Sequence, residues 1–183
     1  MHAMTMSIPA ILAQRPTAAS LLADITAGDT EIRQRAIEQS VLVGTPLIVP
    51  LGRVMAGSDP AAGKAALEAL RCVAHHCARP GAGAERATAA RELLKLTEAA
   101  FPRHVRSEAL MLLGCIGTAE HAPALARLLK DPQVQTDALM ALQRIPGGGV
   151  ERALRGAVAG AAPSLRDAIG LALQARSRRF RRR

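Results

Sequence analysis

"PALARLLKDPQVQTDALMALQRI", residues 123–145, holds two helix patterns on either side of one short turn. From Val134 onward the small and apolar residues are Val134, Ala138, Ala141, Leu142 and Ile145, at offsets 0, 4, 7, 8 and 11. Side chains at that spacing share one face of an α-helix. The segment just before, "EHAPALARLLKD", predicts a preceding helix, and "KDP" at 130–132 the turn between the two. Proline is tolerated in a helix's first turn, where its missing N–H has no partner to lose. Asp131 is expected to help cap the second helix, as is Asp59 in the equivalent "SDP" at 58–60.

The pattern recurs along the chain. "IRQRAIEQSVLV" from Ile32, "AGKAALEALRCV" from Ala62, "VRSEALMLLGCI" from Val105 and "LRDAIGLALQAR" from Leu165 align with the segment at Val134. The column four residues in reads Ala36, Ala66, Ala109, Ala138 and Ile169, with spacings of 30, 43, 29 and 31 residues. The long interval contains a Pro-Gly-rich insertion, "ARPGAGAE" at 78–85, and a longer following helix. A partner helix precedes each segment: "TAASLLADITAG", "PLIVPLGRVMAG", "ERATAARELLKLTEAA", "EHAPALARLLKD" and "GVERALRGAVAG". Unit boundaries are expected near 44, 78–86, 117 and 147.

These units, above all "PALARLLKDPQVQTDALMALQRI" and "HVRSEALMLLGCIG", resemble HEAT repeats in their short bacterial form. The resemblance covers residues 17–177. It implies an all-α fold, a right-handed superhelix of about five helix pairs with the second helices lining the concave surface. Residues 1–16 are then an N-terminal extension and 178–183 an arginine-rich tail. The outer units depart most, with Gln39-Ser40 and Gly170 at usually apolar or Ala positions. Terminal repeats have one face toward water.

Composition agrees with packed helices. Hydrophobic residues make up 49% of the chain, yet Phe101 and Phe180 are its only aromatics. A core of Ala, Leu, Val and Ile suits closely packed helices. The three cysteines, Cys72, Cys77 and Cys115, suit a reducing cytoplasm better than a disulfide scaffold. The N-terminal stretch "MHAMTMSIPAILAQRP" has no cationic leader, and its short apolar run is broken by Pro9, so no signal peptide is read. The net charge of +9 is uneven. Six arginines (Arg176, Arg178, Arg179, Arg181, Arg182 and Arg183) fall in "RSRRFRRR", which is expected to extend beyond the last helix as a disordered tail.

"CVAHHC", residues 72–77, collects four metal-binding side-chain types. On a helix they diverge. Cys77 shares the core face with Ala66 and Val73, while Cys72 faces away and can meet only His75 or His76. A closed zinc site needs four ligands, so no metal is expected. Cys72 and Cys115 hold equivalent places on adjacent units, and helix separations of roughly 8–10 Å disfavour a bridge.

No hydrolase, metalloprotease or phosphate-loop motif occurs, and no cofactor or enzymatic activity is expected. HEAT-like enzymes include alkylpurine DNA glycosylases, whose base-handling aromatics this chain lacks, and phycobilin lyases, whose fold it could share. The more informative pattern lies at offset 6: Glu38, Glu68, Met111, Met140 and Leu171, with Cys115 one turn beyond Met111. This row points away from the core and changes from acidic to apolar. Apolar rows mark partner sites, and methionine suits adaptable contacts. The expected function is a non-catalytic cytoplasmic scaffold that captures a partner protein's helix or peptide. The alternatives are a nucleic-acid-binding protein that uses the basic tail, whose weak contact with nucleic acid or an anionic surface would be salt-sensitive, or a phycobilin-lyase-like enzyme.

Overall fold

All ten segments of the aligned pattern fold as helices. A computed structural model describes residues 15–180, with side chains through Arg178. Most of the expected 1–16 extension, the Arg179 side chain, and Arg181, Arg182 and Arg183 lie outside that description. The helices are α1 (Ala18–Thr26), α2 (Thr30–Val43), α3 (Ile48–Met55), α4 (Pro60–Cys77), α5 (Gly83–Lys95), α6 (Arg103–Ile116), α7 (Ala122–Arg127), α8 (Gln135–Arg144), α9 (Gly148–Val158) and α10 (Pro163–Phe180). Single 3-10 turns precede α3 (Thr45–Leu47) and flank α7 (Ala119–His121, Leu128–Lys130). Among the described residues there is no strand, and no helix is long and apolar enough to cross a membrane.

Local chemistry explains the helix starts. Thr17 and Ser20 form a reciprocal capping box at α1. Asp29 accepts the Glu31 and Ile32 amides at the start of α2. Asp59 does the same for Ala61 and Ala62 of α4, with Pro60 in the first turn. Asp131 departs from expectation. Its Oδ1 takes the Gln133 amide in the turn before α8, while Oδ2 pairs with Arg106, so α8 begins without a side-chain cap. At Gly147, φ is +105°, a conformation that turns the chain from α8 into α9 and favours glycine.

The repeated column is the packing seam. Ala36, Ala66, Ala109, Ala138 and Ile169 are each at most 1% exposed. Helices pair as expected: α1 with α2, α3 with α4, α5 with α6, α7 with α8 and α9 with α10. The second helices also pack in series, α2–α4–α6–α8–α10. Small residues permit close approach. A Cβ on Gly114 of α6 would stand 3.2 Å from the Ala141 Cα of α8. From the first helices, Leu51, Leu93, Leu125 and Leu154 fill the core at full burial. Each such leucine contributes about 1.5–3 kcal/mol relative to exposure.

One buried charge crosses units. Arg106 on α6 is 3% exposed. Its Nε donates to the Thr97 carbonyl at 2.9 Å, and its Nη2 pairs with Asp131. A buried guanidinium is tolerated only where its donors are met, as they are here.

The C-terminal expectation needs correction. α10 runs to Phe180, so "RSRRFRRR" begins inside a helix rather than beyond one. Arginine is a good helix former, and Arg176 has a docking site described below.

Candidate functional site

The second-helix face carries every residue of the expected ridge. Glu38 on α2 is exposed, and its Oε1 accepts Gln34 Nε2 at 3.1 Å. Glu68 on α4 is half-buried. Met111, Met140 and Leu171 are 38%, 46% and 67% exposed, and Cys115 is exposed beside them. For methionine and leucine in the middle of helices, such exposure leaves a large apolar area in water.

The ridge is not one continuous trough. Met111 of α6 and Met140 of α8 both line a single groove of about 410 Å³. Leu171 borders a smaller groove of about 260 Å³ between α8 and α10, beside Gln143, Ala175 and Arg176. Glu38 and Glu68 line neither groove. The carboxylates of the methionine groove are Glu108 and Asp137, with Arg144 also at its wall. Offset 6 alone misses them. Glu108 and Asp137 stand three residues before Met111 and Met140, on the same helix face, and that spacing could have found them.

Its polar groups are wired together. Arg71 of α4 grips Glu108 with two parallel bonds, Nε to Oε1 at 2.6 Å and Nη2 to Oε2 at 2.9 Å. This fork holds the Arg71 proton more firmly than usual, with Glu108 the main cause. The Ser107 hydroxyl donates to Asp137 Oδ2 at 2.7 Å. His104 Nε2 lies 3.0 Å from the Met55 carbonyl and donates to it. Ser107, His104 and Asp137 are thus the residue types of an acyl-transfer triad in one groove, but not its wiring. There the histidine stands between serine and carboxylate. Here serine bonds the carboxylate directly, and His104 Nε2 is committed to backbone. What the groove offers is an apolar floor of two flexible thioethers with charged walls.

The "CVAHHC" side chains diverge as their helical spacing requires. Cys77 is buried, Cys72 and His76 are half-buried, and His75 is exposed. Burial pushes the Cys77 thiol above its usual range, which disfavours a thiolate.

Arg176 lies elsewhere than expected. Rather than belonging to a free tail, it reaches the C-terminal end of α8. Nη1 donates to the Ile145 carbonyl at 2.8 Å and Nη2 to the Gly147 carbonyl at 2.9 Å. The Leu142 carbonyl is a longer third acceptor at 3.3 Å. Carbonyls at a helix end have no intrahelical donors and attract a cation. Arg178, one turn-half further on, is exposed. No protein-family model matches this sequence, and no curated protein matches it either.

Proposed function

We propose that this chain is a non-catalytic protein-interaction scaffold. In this reading the helix pairs form a HEAT-like right-handed superhelix, and a partner's helix or extended peptide lies along the second helices. The observation that carries the reading is the α6/α8 groove, which two exposed methionines, Met111 and Met140, line together with charged residues. Thioether side chains repack around varied apolar anchors at small cost. The paired charges at the walls would orient what they hold.

The test is affinity capture with the wild-type chain and a Met111→Glu/Met140→Glu variant. Both sites point off the core face, so thermal stability should stay close to wild type. Partner capture should fall by about tenfold or more. Unchanged partners with an intact fold would remove the groove from the function.

A further inference from the structure

The charge around the α6/α8 groove is uneven. Glu108 is held by Arg71. Asp137 receives only the Ser107 hydroxyl and makes no ion pair among the described residues. Glu68 acts on the Arg71 charge from nearby without forming an ion pair of its own. Arg144 also lines the groove, so among its described carboxylates Asp137 is the one left without a cation, with Glu68 outside the groove on α4. A matching segment has an apolar anchor among closely spaced cations.

The chain contains one such segment. In "RSRRFRRR", Phe180 has two arginines just before it and three just after. The segment's first residue, Arg176, is fixed at the end of α8. α10 lies alongside α8 with Arg176 at the level of Ile145, where the two are bonded. The helix then continues another turn, to Phe180, past the end of α8. Met140 lies a turn back from that end.

We propose that residues 177–183 of one molecule dock on the α6/α8 groove of a second copy, Phe180 against Met111 and Met140 and the arginines toward Asp137, Glu108 and Glu68. This rests on the partner-binding reading of the groove and names the partner. The contact joins two different surfaces, so it adds copies head to tail or closes by reciprocal exchange.

The experiment measures the mass of the full chain by analytical ultracentrifugation across a concentration series at low and high salt. The average mass should rise above the 19.2 kDa monomer with concentration. It should fall back as salt screens the arginines. A groove variant (Met111→Gln/Met140→Gln), which removes the apolar floor without adding charge, and a tail variant (Phe180→Ala with Arg181, Arg182 and Arg183→Ala) should each weaken self-association by about tenfold or more. Mixed together, the two should form a one-to-one complex, because one supplies an intact tail and the other an intact groove. Asp137→Lys should weaken association without touching the apolar floor, and circular dichroism melts check that every variant folds. A chain that stays monomeric overturns the proposal, as does association unmoved by the groove variant or failure of the folded variants to pair. A monomeric chain whose captured partner still depends on Met111 and Met140 would overturn the second-copy inference and leave the partner-binding reading standing.

Discussion

Arg106 occupies a position that helix periodicity alone assigns to no special role, next to Val105 on the core side of α6. It is nevertheless 3% exposed and joins the Thr97 carbonyl to Asp131. Removing one partner of a buried ion pair costs about 3–5 kcal/mol, because the other is left uncompensated. In Arg106→Ala the carboxylate left behind, Asp131, is 30% exposed and can be hydrated, so unfolding stability should fall by about 1–3 kcal/mol in denaturant titration. The pairing also has a pH signature. Arg106, and after it the Gln133 amide, hold the Asp131 carboxyl below its ordinary value of 3.8. A carboxylate whose folded pKa is lowered adds stability that is fully present above the ordinary value and is lost as pH falls through the folded one. Asp131→Asn should cost about 1–3 kcal/mol at neutral pH. The gap to wild type should narrow as pH drops below 3.8. A gap that stays constant down to strong acid would mean that Asp131 contributes shape rather than charge.

At the scale of elements, two contacts decide where α8 sits, and each can be perturbed alone. Gly114 lets α6 approach α8 closely enough for Met111 and Met140 to share a groove. Gly114→Val would drive a side chain toward the Ala141 Cα, 3.2 Å from where the Cβ must go, and should cost about 1–3 kcal/mol by overpacking. On the other flank, Arg176 ties α10 to the carbonyl end of α8. Arg176→Ala should cost about 1–2 kcal/mol, at the lower end for charged hydrogen bonds because the residue is half-buried. Amide hydrogen exchange should speed up in α10 and at the end of α8 while α2 and α4 stay unchanged. Uniform acceleration would make Arg176 part of the global fold rather than a local tie. The helices themselves were legible in the sequence, because Ala36, Ala66, Ala109 and Ala138 repeat the same buried place in successive units. Periodicity reports which way a side chain faces, not what it reaches. The Arg106 bridge, the Arg71–Glu108 fork and the Arg176 dock all join different units over long side chains, and a single-helix pattern carries no trace of them. For the same reason Met111 and Met140 were found as exposed, while the split of their row from Leu171 was not. The α7 region was read as one helix, but it is interrupted by 3-10 turns on both sides, with Pro123 in the first turn of α7.

For the whole molecule, a well-packed helical frame is proposed to present the Met111/Met140 groove to a basic, apolar-anchored segment. Methionine methyl groups test this directly. The chain has six methionines, and three of them sit in described helices with contrasting surroundings: Met55 is 6% exposed, Met111 38% and Met140 46%. The decisive measurement is an NMR spectrum of the full chain labelled with carbon-13 at the methionine methyls, followed from dilute to concentrated solution. The Met111 and Met140 signals should shift or broaden together as molecules associate, both changes should reverse at high salt, and the signal of buried Met55 should stay in place. Spectra unchanged at every concentration, or shifts in Met55 that match those of Met111 and Met140, would contradict the proposed docking.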